Sequence, residues 1–378
     1  MAARERLRSC DAPGSGAGNT PARAPVAPDG GFVKLSVLDL VPVASNQTSA
    51  SALAASMEQV VRADALGLHR YWFAEHHNML AVASTAPAVL IALAGARTSR
   101  IRLGSGGVML PNHAPLVVAE QFALLEAAFP GRVDLGLGRA PGSDPVVSAV
   151  LRSQGPTSQA ERFPEHVADI QALLDAEGAS VRLSSGEVYG LRATPAATGI
   201  PDLWLLGSSD FSARLAADAG LPYVFANHFA DTGGDAAMAL YRGGFQPRTP
   251  GAAPRSFVTA NVVVAESRAD AEELALPQLV QMARLGTGER LGPALTVEDA
   301  AEAALTPRQE EMVRAMRARW IIDEPAAAAE RVAALADSFG VDEVMVALSA
   351  GARRDDRGAA PARLRSMDLL ADALGPLG

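Results

Sequence analysis

The stretch from Arg70 to Gly142 contains three short apolar runs that end in polar or glycine-rich residues: RYWFAEHHN (70–78), IRLGSGGVMLP (101–111) and RVDLGLGRAPG (132–142). About 25 to 30 residues of helical pattern separate successive runs, which is the repeat of a βα unit. Parallel strands of a barrel present their carboxyl ends at one mouth. We therefore expect His76, the pair Gly106–Gly107 and Arg139 to lie around one ligand.

Composition is that of a globular protein with a large core. The chain has 378 residues, of which 49% are hydrophobic and 20% charged, so it can bury a sizeable core. Its net charge is −9, and no basic stripe with interleaved aromatic residues is visible, so we expect no nucleic-acid partner. The single cysteine, Cys10, excludes an internal disulfide framework and a cysteine-ligated zinc site, and is typical of a cytoplasmic protein.

Membrane and export signals are weak. The most apolar run, Leu80 to Ala96, is broken by Ser84, Thr85 and Pro87 and is shorter than the ~20 residues of a bilayer span. Residues 1–9 are basic, but no apolar signal-peptide core follows them. We expect a cytoplasmic protein without membrane contact.

Along the chain, the pattern predicts a leader followed by a single domain. Residues 1–31 are rich in Pro, Gly, Ala and Ser and predict a disordered leader, whereas residues 32–378 predict one α/β domain. A hairpin is expected at Val181–Tyr189, and an irregular insertion near 285–320. Eight strands alternating with helices are expected at 32–38, 70–74, 101–108, 132–137, 203–206, 221–226, 257–264 and 342–348. This order predicts a (β/α)8 TIM barrel with insertions.

The sequence Glu75-His76-His77 follows the second strand and offers acid–base chemistry. Imidazoles titrate near neutral pH, and adjacent residues of a strand point to opposite faces, so we expect one histidine to face the ligand. A pair of packed, hydrogen-bonded histidines is the alternative. Because no further Cys, His or carboxylate cluster accompanies these residues at ligand spacing, we expect no metal site.

Two further motifs point to a flat, phosphorylated ligand. Gly106 and Gly107 end the third strand, where a missing side chain lets a flat ligand approach the backbone; an ordinary turn is the alternative. The glycine spacing is not that of a dinucleotide fingerprint. Ser208, Ser209 and Ser212 begin a helix, whose free N–H groups favour an anion, and Arg139 is placed to bind the same phosphate. A plain serine cap and a surface salt bridge are the alternatives.

Four linked motifs resemble the bacterial luciferase-like flavin-dependent monooxygenases: YWFAEHHN (71–78), RLGSGGVMLP (102–111), AEQF (119–122) and GRVDLGLGRAPG (131–142). The resemblance extends from about Phe32 to Leu348. More narrowly, the motifs are similar to those of the subgroup that includes tailoring oxygenases of bacterial aromatic polyketide pathways.

The resemblance implies a cofactor and a reaction. The cofactor is FMN, delivered reduced by a separate NAD(P)H:flavin reductase, and O2 converts it to a C4a-(hydro)peroxyflavin. This species would oxygenate an organic substrate, for example an aromatic polyketide in antibiotic biosynthesis, by hydroxylation, epoxidation or Baeyer–Villiger chemistry. The resemblance also implies a homodimer.

The resemblance assigns roles to individual residues. His76 matches the catalytic histidine, and Gly106–Gly107 match a non-proline cis peptide under the flavin ring. The positions that match phosphate-binding residues are Arg139, Arg162, Ser208, Ser209 and Ser212. Gly138 stands where the luciferases carry a cysteine, which leaves oxygenation open but argues against light emission.

Two alternatives remain open. One is an oxidoreductase of the same superfamily that transfers hydride with the deazaflavin F420 and needs no oxygen. The other is a non-catalytic flavin-binding protein.

Overall fold

The computed structural model describes residues 33–375, apart from residues 141, 143–144, 153–159, 231 and 357. The predicted disordered leader at 1–31 therefore lies outside the described residues. No helix within the described part of the chain is long and apolar enough to cross a membrane.

Eight parallel strand positions close into a barrel, as the sequence predicts. Around the barrel the order is β1-β2-β3-β5-β8-β9-β10-β12, and the pairing of β12 with β1 closes the ring. The strands are β1 (Lys34–Asp39), β2 (Arg70–Phe73), β3 (Arg102–Ser105), β4 (Val108–Met109), β5 (Val133–Gly138), β6 (Ala179–Arg182), β7 (Val188–Leu191), β8 (Asp202–Gly207), β9 (Tyr223–Phe225), β10 (Ser256–Val264), β11 (Ile321–Asp323) and β12 (Glu343–Leu348).

Helices surround this barrel; most pack against its strands, whereas α9 and α10 pack against α8. They are α1 (Ser49–Leu66), α2 (Pro87–Gly95), α3 (Pro115–Ala128), α4 (Pro145–Arg152), α5 (Phe163–Leu174), α6 (Asp210–Asp218), α7 (Gly234–Gly244), α8 (Arg268–Gly286), α9 (Val297–Ala301), α10 (Pro307–Arg319), α11 (Pro325–Phe339) and α12 (Pro361–Leu374). The α/β architecture is thus a (β/α)8 TIM barrel with insertions.

The barrel interior has a polar layer and an apolar layer. Near the amino ends of the strands, Arg70 forms ion pairs with Asp134 at 2.9 Å and with Glu343 at 2.7 Å. The guanidinium also lies 4.7 Å from the ring centre of Trp204. Above this layer, apolar side chains from several strands fill the barrel: Leu38, Trp72, Ala74, Trp204, Val224, Phe257 and Met345. The floor beneath the strand ends is therefore packed, and any ligand must bind above it.

Some elements differ from the sequence expectation. The third strand is interrupted: β3 ends at Ser105, and β4 resumes at Val108 as a partner of β5. The predicted hairpin is confirmed as the antiparallel pair β6–β7. The expectation of an irregular stretch near 285–320 is wrong in part, because it contains α9 and α10.

Candidate active site

His76 lies on the loop after β2, at the carboxyl end of the barrel. Its backbone N–H donates to the Ser84 carbonyl at 2.9 Å, which fixes the loop. Its Nδ1 is buried and has no hydrogen-bond partner among the described residues. Burial lowers the pKa of His76, although the neighbouring charge of Glu75 acts in the opposite direction. The imidazole is therefore neutral near pH 7 and offers a free nitrogen to a ligand or a proton.

His77, the next residue of this loop, has partners of its own. Its Nε2 lies 2.7 Å from Oε1 of Glu75, and Nε2 of His113 lies 2.7 Å from the same oxygen. Glu75 Oε2 accepts from the Met109 backbone N–H at 3.1 Å. One buried carboxylate thus joins the loop that carries His76 to the segment from β4 to His113.

The charge state of Glu75 follows from these contacts. Burial alone would raise the pKa of Glu75, but the hydrogen bonds from His113 and His77, with that from the Met109 N–H, lower it to about 2. An ionised carboxylate can only accept hydrogen bonds, so both imidazoles donate to it.

This cluster corrects one step of the sequence reasoning. We expected no metal site because no further ligand accompanied Glu75 and His77. That reason is wrong, because His113 brings a third ligand-type atom within 4.8 Å of the other two. In the structure the three side chains satisfy one another by hydrogen bonds, so their arrangement is already explained as a clamp on the site loops.

Gly106 and Gly107 lie between β3 and β4, and the peptide bond that joins them is cis. A Cβ atom on Gly106 would lie 2.4 Å from Leu38 Cδ1, and one on Gly107 would lie 2.9 Å from the Gly136 carbonyl oxygen. Larger residues do not fit here without movement of the barrel wall. The predicted cis bond is present, and glycine suits both positions because neighbouring protein atoms occupy the space that a side chain would need.

A cationic corner forms where β5 and β8 end. Arg139 follows β5 directly and is exposed, with its guanidinium carbon 4.2 Å from the ring centre of Phe211. Phe211 lies in the first turn of α6, so Arg139 is beside the helix start that carries Ser208 and Ser209. Both serines are exposed, and Ser209, the N-cap residue, makes no capping hydrogen bond with its side chain. The corner offers a cation, two hydroxyls and helix N–H groups to an anion.

Ser212 and Arg162 have other contacts. The Ser212 hydroxyl is buried and donates to the Ser209 carbonyl at 2.7 Å, so it stabilises the turn. Arg162 is half-buried and forms a salt bridge with Glu165 at 3.1 Å. Neither contact joins these residues to Arg139, and their phosphate-binding role stays a prediction.

An apolar cavity opens beside His76, on the side of β1, β10 and β12. Because β2 lies between β1 and β3 in the barrel, His76 stands between this cavity and the glycine pair. Residues of α8 and the following segment form the opposite wall, including Met282 and Leu285.

The cavity contains a histidine that sequence reasoning missed. His228 follows β9 and is hydrogen-bonded to Oγ1 of Thr259. Burial lowers the pKa of His228 to about 3, and the nearby His76 acts in the same direction. His228 is therefore a second neutral imidazole in the wall. The available signal in the sequence was a histidine just after a predicted strand. The burial of this histidine depends on β10, which lies about 30 residues further along the chain.

Comparisons with known proteins place this geometry in a family. A family model described as luciferase-like monooxygenase matches residues 33–343. A luciferase-like monooxygenase of Escherichia coli K12 is 42% identical over 257 residues, which are 68% of this chain and 74% of that protein.

Solved structures show the same fold. The crystal structure of apo-MsnO8 matches with a TM-score of 0.76 at 33% identity, covering 91% of this chain and 99% of that one. The oxygenating constituent of 3,6-diketocamphane monooxygenase from Pseudomonas putida, solved with FMN, matches with a TM-score of 0.66 at 18% identity over 91% of this chain and 98% of that one. At that identity the second likeness concerns the fold alone.

Proposed function

The chain belongs to the luciferase-like monooxygenase family, and from that premise we propose that it is a two-component flavin-dependent monooxygenase. In this proposal it takes reduced FMN from a separate NAD(P)H:flavin reductase and uses O2 to oxygenate an organic substrate. The observation that carries the proposal is the unpaired, buried Nδ1 of His76 at the barrel mouth that also presents the Arg139 corner.

The residues at the mouth fit FMN. Arg139, Ser208 and Ser209 supply a cation and hydroxyls for a phosphate dianion, and charge-assisted bonds of this kind are the strong ones. Gly106 and Gly107 present side-chain-free backbone, against which a flat ring system could lie. Arg162 and Ser212 complete the set carried over from the family resemblance.

The chemistry divides between cofactor and protein. Bound reduced flavin supplies the two electrons with which O2 is activated. The protein holds the phosphate at the Arg139 corner and excludes water with the apolar wall of the cavity. The neutral His76 accepts a proton at Nδ1 from a reacting group, or returns one to it.

A homodimer is part of the proposal. Apolar side chains on the neighbouring helices α2 and α3 are exposed, among them Val89 (59%), Val117 (49%) and Leu124 (58%). A patch of this kind on the surface of one subunit is typical of a protein–protein interface. A second copy that presents the same helices would cover it.

The experiment that tests the function uses isotope labelling. The protein is mixed with chemically reduced FMN, ¹⁸O2 and a panel of neutral aromatic compounds, and products are analysed by mass spectrometry. We expect a product that carries one ¹⁸O atom, at a yield that His76→Asn strongly reduces. Substrate conversion by reduced F420 without oxygen would contradict the proposal in favour of hydride transfer. FMN binding without any product would favour a non-catalytic flavin-binding protein.

A further inference from the structure

The cavity beside His76 has a wall formed by one face of α8. Gln278, Gln281, Met282 and Leu285 line it from the helix, and Trp320 lines it from the end of α10. Opposite them are the carboxyl ends of β1 and β12 and the loop around Met79. This space lies next to His76 but does not include the Arg139 corner.

The charged groups in this wall are already paired. Asp39 accepts hydrogen bonds from the Tyr71 hydroxyl at 2.6 Å and the Val41 N–H at 2.8 Å. Arg363 lies 3.5 Å from Asp39 and donates to Gln59 at 2.6 Å. The two histidines of the wall are neutral near pH 7, as described above. Among the described lining residues, no unpaired charge remains to receive a charged ligand, and burying such a ligand without a partner is costly.

The polar side chains differ in whether their hydrogen bonds are satisfied. Most of those lining the cavity make hydrogen bonds within the protein: Gln47, Gln59, Asn261 and Ser349. Gln281 is different: like Nδ1 of His76 described above, its Oε1 is buried and lacks a hydrogen-bond partner among the described residues. A buried amide oxygen is an acceptor only, so the group that satisfies it must be a donor.

We propose that this cavity binds an uncharged, largely apolar molecule with one hydroxyl or N–H group, which donates a hydrogen bond to Oε1 of Gln281. Gln281 is then a specificity-determining residue. The proposal rests on the proposed function in one respect, namely that this molecule is the substrate that is oxygenated. His76 lies in the same wall and would therefore be next to the bound molecule.

Three probes separate the features of such a ligand. 2-Naphthol is neutral at pH 7 and donates a hydrogen bond, 2-methoxynaphthalene is neutral without a donor, and 2-naphthoate is an anion. Their dissociation constants are measured by calorimetry on the flavin-free protein, the Gln281→Leu variant and the Gln246→Leu variant. The Gln246→Leu variant is the matched control, because Gln246 is exposed and does not line the cavity.

We expect the wild-type protein to bind 2-naphthol about tenfold more tightly than 2-methoxynaphthalene, as a single hydrogen bond predicts. We expect 2-naphthoate to bind more weakly still. Gln281→Leu should remove the preference for 2-naphthol while leaving the affinity for 2-methoxynaphthalene unchanged, which also shows that the variant is folded. Gln246→Leu should retain the preference.

Several results would overturn the proposal: no saturable binding of 2-naphthol, equal affinity for 2-naphthol and 2-methoxynaphthalene, or tighter binding of 2-naphthoate. A parallel titration with FMN separates this proposal from the function itself. If Gln281→Leu weakens FMN binding as much as 2-naphthol binding, Gln281 serves the flavin and the substrate role is wrong. If FMN does not bind but the 2-naphthol preference persists, the cavity is assigned correctly and the flavin proposal fails.

Discussion

The guanidinium carbon of Arg139 lies 4.2 Å from the ring centre of Phe211, so the end of β5 and the first turn of α6 form one cationic corner. Phe211 holds the guanidinium by a cation–π contact and leaves its N–H groups available to an anion. Two residues 72 positions apart in the chain thus define where a phosphate would bind.

Replacing Arg139 with Ala tests this corner. Loss of a charge-assisted contact to phosphate should weaken FMN binding by about 10- to 100-fold. Riboflavin, which lacks the phosphate, should bind the variant and the wild-type protein equally well. Fluorescence titration measures both affinities, and Arg314→Ala, at an exposed arginine paired with Glu311, is the control. Equal FMN affinity in wild type and Arg139→Ala would exclude this residue from phosphate binding.

Replacing His76 with Asn tests the proton-transfer role. Loss of a positioned acid or base should lower turnover by about 10²- to 10⁴-fold while FMN affinity changes little. Because burial lowers the pKa of His76, its neutral form persists to below pH 6.5, and kcat/KM should fall only at more acidic pH. The variant should lose this acidic limb. His69→Asn, at the opposite end of β2, is the control. Wild-type turnover in His76→Asn would rule out the proton-transfer role.

The sequence predicted those parts of the molecule that depend on local patterns. The apolar runs ending at Ala74, Leu137 and Leu206 predicted strands, and the residues that follow them lie at the expected mouth. His113 was not recognised because it lies 38 residues from Glu75, and only the fold brings them together. In the sequence alone, a single histidine does not indicate a partner so far along the chain.

Helix α10 was not predicted, for a different reason. Its residues are highly charged and give no clear apolar stripe, so the segment before Trp320 looked irregular. A capping box between Thr306 and Gln309 begins this helix, and that signature was visible in the sequence. A second capping box, with Thr48 as the N-cap and Ser51 three positions later, begins α1.

Glu75→Gln should change how stability depends on pH. The pKa of Glu75 is about 2 in the folded protein against an ordinary value of 4.5, so its ionised form stabilises the fold by about 3 kcal/mol above pH 4.5. This contribution is lost as pH falls from 4.5 toward 2. Urea unfolding should therefore show wild type more stable than Glu75→Gln at pH 6, with the difference shrinking below pH 4.5.

The control for this experiment is Glu58→Gln at an exposed position of α1, which should change stability by less than about 0.5 kcal/mol. A constant difference between wild type and Glu75→Gln across the whole pH range would contradict the ionised clamp.

Arg70→Met should lower the stability of the barrel without changing the candidate site at its mouth. The change leaves Glu343 buried without its cation, and breaking a buried ion pair costs about 3–5 kcal/mol. Burial raises the pKa of Glu343 even with Arg70 nearby, so its charge is costly in this place. Adding Glu343→Gln to Arg70→Met should restore part of the lost free energy of unfolding, as measured in urea. If stability is not restored, the unpaired charge of Glu343 is not the cause of the loss.

The exposed apolar face of α2 and α3 predicts the oligomeric state. Light scattering on the wild-type protein should give twice the chain mass of 39.1 kDa. Leu124→Glu places a charge in this face and should give monomers, whereas Leu183→Glu, near the β6–β7 turn, should not. A monomeric wild-type protein would contradict the proposed homodimer.

A crystal structure of the protein with FMN tests the central claim most directly, because it locates both ends of the cofactor. We predict the phosphate within hydrogen-bonding distance of Arg139 and Ser208, and the ring system between Gly106–Gly107 and His76. A flavin bound outside this mouth, or one whose phosphate lies away from Arg139, would contradict the account.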